Sequence, residues 1–368
     1  MCIRDRLWTV TYYGIDKFYK LFNPRQLLTL VKLVKLIREA SKRLEEEKLK
    51  QGLSKGEAHD YVEAVATYLA TMLCRCASYN TFTVTWDPLF MLPRQVFTFR
   101  GTGISWSIAE YNVLSARVGL PKHLARIVNG LAYLLNAVKD SPSEVKVLLD
   151  DAAILNKLSP EEEFDLIVMD PPHYDNVPYT ELSDFYFIWL KRALSDVKDN
   201  KLTPKFLPEA FFDKVGSEIS TQWERYAPKE ISLNIGRYEH FNQRKYSLEE
   251  AIVKYTNLLA SIFARMTQLL KNDGILITYS ISAERDILLE VGKAAKLEVV
   301  AIHPVIRKKI TEVKSPLEAD LIIVWRKRKD KGKIDVSKPS VIDNLERIIH
   351  ERIKTIRARG PLLIHRAY

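Results

Sequence analysis

From residue 145 onward, short apolar runs rich in Val and Ile alternate with stretches of helical periodicity. Strand candidates occupy residues 145–149 and 164–169, and a helix candidate follows at 181–194. This strand-helix alternation is the pattern of a parallel sheet with helices packed against it. The sequence therefore predicts an α/β fold for residues 141–328.

Local signals define the remaining elements of this region. Ser247 and Glu250 form a capping box that predicts a helix start. A polar and aromatic insertion of about residues 195–246 precedes that helix. The elements predicted after the insertion are a helix at 247–270, a turn at 271–274, a strand at 275–281, a helix at 284–296 and a closing strand pair at 299–306 and 317–325.

The first 140 residues are predicted to be mainly helical. Asn23 followed by Pro24 is typical of a helix N-terminus, and apolar residues recur at helical spacing after it. Further helices are predicted at 57–78 and 122–139. The predicted segments of the whole chain are 1–6 as an artefact of the gene sequence, 7–140 as a helical segment, 141–328 as the α/β half and 329–368 as a basic tail with a helix.

Positive charge is concentrated at the C-terminal end. The formal net charge is +10, yet residues 326–368 hold 13 Lys or Arg against 5 Asp or Glu, while the rest of the chain holds 43 against 41. A basic tail on a nearly neutral body favours a polyanion such as nucleic acid as partner. A solvated terminal helix is an equally good explanation of the charge alone.

Cysteine usage and hydropathy indicate the compartment. Cys2, Cys74 and Cys76 are too few for a disulfide framework, which is typical of a reducing environment. No apolar run reaches the roughly 18 residues of a membrane span, and the N-terminus lacks the apolar stretch of a signal peptide. The lone CxC pair favours buried thiols over a zinc site. We therefore expect a cytoplasmic protein with no membrane partner and no metal.

The most informative segment is DLIVMDPPHYDN, residues 165–176. A buried strand delivers Asp170 to its carboxyl end, where open α/β sheets bind ligands, and Pro171 and Pro172 fix the backbone beyond it. A carboxylate and a backbone carbonyl can accept the two hydrogens of a planar exocyclic amine and aim its lone pair at an electrophile. A neighbouring aromatic ring would stack on a flipped base. A tight turn that merely ends the strand is the alternative.

The wider stretch DPPHYDNVPYTELSDFYFIWLKR, residues 170–192, resembles the motif IV region of amino-methyltransferases. It is most similar to the adenine-specific DNA methylases that carry a zinc ribbon, which show DPPYYDNVPY followed by an LSDFFY-type helix. Further similarity lies in YGIDKFYKLFNPRQLL, residues 13–28, and KNDGILITYS, residues 271–280. The resemblance covers about residues 12–325 and implies a Rossmann-like sheet of an S-adenosylmethionine-dependent methyltransferase.

The resemblance also implies roles for individual residues of the tip. Asp170 and the carbonyl of Pro171 would hold the target amino group, and Pro172 would shape the turn. His173 stands where the family usually has an aromatic residue. A neutral imidazole can stack on a base with less area, and Tyr174 or Tyr179 would then substitute in the stacking.

On the cofactor side, the resemblance implies that Asp151 contacts the adenine of S-adenosylmethionine, with Asp170 as the second contact; an ordinary strand-end cap is the alternative for Asp151. The family's methionine-binding loop and zinc ribbon lie upstream of the part that this chain resembles. We therefore expect the C-terminal part of a longer methylase, with an upstream segment that carries the loop. Residues 99–103, FRGTG, imitate such a loop, but no Asp-Pro precedes them and no acidic residue follows at ribose-binding distance.

The insertion interleaves basic and aromatic side chains between Gly236 and Tyr246. Such a stretch can contact phosphates and stack on bases, although polar loops without a ligand have a similar composition. The residues predicted to contact nucleic acid are Tyr179, Arg237, Tyr238, Arg244 and Lys245.

The predicted reaction is direct methyl transfer from S-adenosylmethionine to the 6-amino group of adenine in DNA. Methylation of the cytosine 4-amino group, or of RNA, is the alternative among enzymes, because all of these targets present a similar planar amine. A non-catalytic nucleic-acid-binding module that has lost the cofactor loop is the alternative from another class.

Overall fold

The computed structural model describes residues 13–97, 109–110, 112–114, 118–159, 161–172, 177–280, 285–306 and 319–328. These residues form a mixed α/β fold with one four-stranded sheet and two short hairpins. The helices are α1 (Pro24–Lys50), α2 (Lys55–Tyr79), α3 (Leu120–Val138), α4 (Tyr179–Leu194), α5 (Pro208–Phe211), α6 (Trp223–Tyr226), α7 (Ile235–Asn242), α8 (Leu248–Leu269) and α9 (Arg285–Ala294). The strands are β1 (Trp86–Asp87), β2 (Leu92–Pro93), β3 (Phe164–Met169), β4 (Asp196–Lys198), β5 (Lys201–Thr203), β6 (Leu270–Ser280), β7 (Leu297–Ile306) and β8 (Ala319–Lys327).

The long helices begin where their local signals predict. At α1, the Asn23 side chain accepts the Gln26 backbone N–H, and the Gln26 side chain accepts the Asn23 N–H in return. Ser247 and Glu250 form the same reciprocal box at α8. Two otherwise unpaired helix donors are satisfied in each box, so these starts need no tertiary contact to be specified.

A first hydrophobic core joins α1, α2 and α4. Leu30, Leu73 and Phe185, one from each helix, are completely buried in it. Cys74 and Cys76 also lie there as free thiols, which confirms their interpretation as buried cysteines. Burial raises the pKa of both thiols to about 12, so they are not reactive nucleophiles in the folded chain.

The second core lies on one face of the four-stranded sheet, whose strand order is β3-β6-β8-β7. β3 and β6 are parallel, and β8 runs antiparallel to both β6 and β7. Helices α8 and α9 cover this face, where Phe263, Leu276 and Trp325 are buried. The carboxyl ends of β3 and β6 therefore point to the same edge of the sheet.

The opposite face of the sheet is open at β3. Leu166 is 55% exposed and Val168 is 71% exposed, and β3 pairs through one edge with β6 among the described residues. The predicted strand at 145–149 is wrong, because residues 141–150 have no regular structure and Val147 is 89% exposed. An alternating apolar run becomes a strand only when a neighbouring strand accepts its hydrogen bonds.

The predicted turn at 271–274 lies instead inside β6. Pairing begins at Phe164 and Leu270, shifts register, and resumes at Leu166 and Ile275, so the extra residues form an irregularity of the strand. A Cβ at Gly274 would lie 3.0 Å from the Phe164 carbonyl oxygen. Glycine is suited to this point because β3 approaches the backbone closely.

None of the helices in the described residues is both long and apolar enough to cross a bilayer.

Candidate active site at the end of strand β3

Strand β3 places Asp170 directly after its last residue, at the carboxyl end of the parallel pair. Asp170 is exposed, and the next residue, Pro171, is buried. Strand pairing holds the residues before Asp170, and the two prolines restrict the backbone after it. An exposed carboxylate on a fixed backbone is suited to accept hydrogen bonds from a ligand.

The backbone beyond Asp170 is anchored to α8. The Tyr255 hydroxyl donates a hydrogen bond to the Pro172 carbonyl at 2.8 Å, and Tyr255 is 1% exposed. This contact joins residues 83 positions apart in the chain. The predicted site residues His173 and Tyr174 lie outside the described residues, so their roles stay predictions.

The chain enters α4 at Tyr179, whose side chain is 57% exposed. The Glu230 carboxylate accepts the backbone N–H of Tyr179 at 2.9 Å and that of Thr180 at 2.8 Å, and it also accepts the Thr180 hydroxyl. This carboxylate pairs with the Thr180 N–H, shares the Tyr179 N–H with the Val177 carbonyl, and lies at the positive end of the helix dipole. Glu230, which belongs to the insertion, therefore caps the helix that follows the tip.

Arg237 and Tyr238, two of the predicted nucleic-acid contacts, lie inside the protein, each 3% exposed. The Arg237 Nε donates to Glu181 at 2.9 Å, its Nη1 donates to Ser232 at 2.9 Å, and its Nη2 contacts both Glu181 and Glu230. Tyr238 donates to the Ser232 carbonyl at 2.7 Å, and burial raises its pKa to about 12. Arg237 thus holds the insertion to α4, Tyr238 fixes the insertion internally, and neither buried side chain presents a surface to a phosphate.

Arg244 and Lys245, two further predicted nucleic-acid contacts, lie on the surface with side chains that are 52% and 90% exposed. Arg244 pairs with Glu250 at 2.7 Å and lies 3.9 Å over the Tyr246 ring, while Lys245 pairs with Glu239 at 3.2 Å. Exposed ion pairs of this kind contribute little and can exchange partners. Both cations therefore remain accessible to an anionic ligand.

Asp151 lies near the same insertion. One carboxylate oxygen accepts the Ala153 N–H at 3.1 Å, and the other lies 3.3 Å from the Lys229 amine. Because Lys229 directly precedes Glu230, one dipeptide contacts both the Asp151 loop and the start of α4. The structure thus links Asp151 to the start of α4 at Tyr179 through the insertion.

Sequence reasoning missed the three residues that organise this region. Glu181 lies in the motif stretch but had no predicted role, Glu230 belongs to no motif, and Tyr255 lies in an ordinary amphipathic helix. The one local signal was an acidic residue in the first turn of α4, which is favourable at any helix start.

Among the described residues, no cluster of three His, Cys, Asp or Glu side chains is arranged to hold a metal ion. Comparison of the chain with protein-family models and with curated proteins finds no match in either case.

Proposed function

We propose that the chain is the catalytic half of an amino-methyltransferase that transfers a methyl group from S-adenosylmethionine to the 6-amino group of adenine in DNA. The observation that carries this proposal is the exposed carboxylate of Asp170 at the carboxyl end of β3, followed by a backbone that two prolines and Tyr255 restrict. Ligands of open α/β sheets bind at this edge.

The strand directions support the Rossmann-like sheet that the resemblance implies. β3 and β6 are parallel, and the connection between them includes a helix, α8, that packs on the sheet. The closing strand pair predicted from the sequence is formed by β7 and β8. β8 lies between β6 and β7 and runs antiparallel to both.

In the proposed reaction, the residues of this chain orient the target amine. The Asp170 carboxylate accepts a hydrogen bond from one N–H of the amine, and the Pro171 carbonyl accepts a hydrogen bond from the other. This favours an sp3 nitrogen whose lone pair points at the methyl group of the cofactor. Such orientation is a large part of the catalysis of a direct transfer. We assign stacking on bases to Tyr179 and phosphate contacts to Arg244 and Lys245, whose side chains are exposed.

The cofactor carries an amino group, a ribose and a purine, all of which donate hydrogen bonds. The carboxylates of Asp170 and Asp151 fit these donors. Asp151 is 30% exposed and its partner Lys229 is 60% exposed, so this weak ion pair can yield to a ligand. When bound, S-adenosylmethionine supplies a methyl group activated by its positively charged sulfur.

The first test is calorimetric titration of the chain with S-adenosylmethionine. Micromolar binding would support a complete cofactor site. If a folded sample binds nothing, the upstream segment with the methionine-binding loop must be supplied before catalysis can be measured.

The second test compares Asp170→Ala with Asp165→Ala, an exposed carboxylate at the other end of β3 that pairs with Lys271. Transfer of labelled methyl groups to DNA should fall about 100-fold or more in Asp170→Ala and stay near the wild-type rate in Asp165→Ala. Substrates with adenine alone, cytosine alone or RNA separate the three candidate targets. If the wild type binds DNA without methylating it, and Asp170→Ala binds DNA as tightly as the wild type, the binding module is favoured.

A further inference from the structure

We propose that Glu230 is a positioning residue of the candidate site, which fixes the start of α4, and with it Tyr179, relative to Asp170. The inference rests on the proposed function for its catalytic consequence. The contact itself rests on geometry alone.

The first step concerns what Glu230 holds. Its carboxylate accepts three hydrogen bonds from the first turn of α4, which are the Tyr179 N–H, the Thr180 N–H and the Thr180 hydroxyl. Pro178 at the N-cap offers no side-chain acceptor to α4. Glu230, which lies 50 positions after Thr180 in the chain, therefore caps the N-terminus of α4.

The second step concerns what holds Glu230. Its Oε2 lies 3.1 Å from the Arg237 guanidinium, whose side chain is 1% exposed. Arg237 donates hydrogen bonds from Nε and Nη2 to the two carboxylate oxygens of Glu181. Glu181 also accepts the Trp223 indole N–H at 2.9 Å. The Glu230 carboxylate is itself 11% exposed, so a buried charge network fixes its position.

The third step concerns the other end of the tip. Tyr255 fixes the Pro172 carbonyl to α8, and Glu230 fixes Tyr179 and Thr180 to the insertion. The chain is thus held at residue 172 and again at residue 179. Two fixed ends limit where Asp170 and the Tyr179 ring can lie relative to each other, which is the condition for a preorganised site.

The adjacent residue extends this role to the cofactor side. Lys229 contacts Asp151 across 78 positions of the chain. The Lys229-Glu230 dipeptide therefore joins the residue predicted to contact the cofactor and the residue predicted to stack on the base. The long insertion therefore connects the proposed cofactor contact, Asp151, with the proposed base contact, Tyr179.

The test compares Glu230→Ala and Glu230→Gln with Glu209→Ala, an exposed glutamate of the same insertion. In Glu230→Ala, amide hydrogen exchange at Thr180 should become about tenfold faster or more, because its hydrogen bond to a charged group is lost. The Tyr179 N–H keeps the Val177 carbonyl as an acceptor and should change less. Glu230→Gln retains one acceptor oxygen and should recover part of the protection. Glu209→Ala should exchange as the wild type does.

Methylation kinetics test the catalytic consequence on an adenine-containing duplex, with the upstream segment supplied if calorimetry requires it. Glu230→Ala should lower kcat about tenfold with little change in the KM for DNA, and Glu230→Gln should restore most of it. Circular dichroism confirms that each variant is folded. Unchanged exchange at Thr180, or unchanged kcat despite faster exchange, would overturn the positioning role. A wild type that never methylates DNA would overturn the proposed function, and the catalytic role of Glu230 with it.

Discussion

Removal of the Arg237 side chain should destabilise the protein far more than removal of a surface arginine. The guanidinium and the Glu181 carboxylate are each 1% exposed, and Glu230 beside them is 11% exposed. Arg237→Met keeps much of the side-chain volume but leaves two carboxylates in the interior without their cation. Breaking a buried pair in this way costs about 3–5 kcal/mol in the free energy of unfolding.

Urea unfolding, followed by tryptophan fluorescence and by circular dichroism, measures the loss. Trp223 is a suitable reporter because its indole N–H bonds to Glu181. The matched control is Arg43→Met in α1, whose side chain is 76% exposed and pairs with Glu39. We expect the control to cost less than about 1 kcal/mol, as exposed ion pairs do.

A double substitution separates the charge from the packing. Glu181→Gln in the Arg237→Met background removes one stranded carboxylate and should recover part of the lost stability. The coupling energy between the two sites should exceed about 1 kcal/mol, as for residues in one network. If Arg237→Met costs no more than Arg43→Met, the network does not hold the insertion to α4, and the argument for Glu230 loses its support.

Two further predictions concern the cores. His123 stacks on Tyr79 and is 2% exposed, and burial, with help from neighbouring cations, lowers its pKa to about 4. Between pH 6.5 and about 4 the unfolded chain binds a proton at His123 that the folded chain does not, so the free energy of unfolding falls as the pH falls through this window. The urea midpoint of His123→Phe should decrease less over the same pH range. Gly292→Ala should cost about 1–3 kcal/mol in the free energy of unfolding, because the new Cβ overlaps the Trp325 ring. Gly130→Ala lies in open space in α3 and should stabilise the protein by up to about 1 kcal/mol. Thermal unfolding of both variants checks the sign of each change.

The parts of the fold that the sequence predicts well are those with local causes. The start of α1 at Pro24 follows from Asn23 and its box with Gln26, and β3 ends before Asp170 as its apolar run indicates. Residues 145–149 have an equally clear strand pattern, but no strand of the described residues pairs with them, so the pattern was misleading.

The candidate site also contains some residues that a local motif predicts and others whose long-range contacts no local pattern predicts. Asp170 and its two prolines are read directly from a local motif, and the structure places that carboxylate on the surface. Arg237 looks like a phosphate contact in its basic and aromatic surroundings, but its partner Glu181 lies 56 residues away in the chain. Long-range charge pairing of this kind leaves no local trace, so periodicity and composition could not predict its burial.

The segment from Asp170 to Tyr179 also connects the two hydrophobic cores. β3 belongs to the sheet core, whereas α4 inserts Phe185 and Trp189 into the helical core. If the two cores unfold with separate midpoints, a ligand that contacts both Asp170 and Tyr179 would bridge them. Binding would stabilise the junction by mass action and draw the two transitions together, so that the sharpness of unfolding, and not its midpoint alone, reports occupancy of the site.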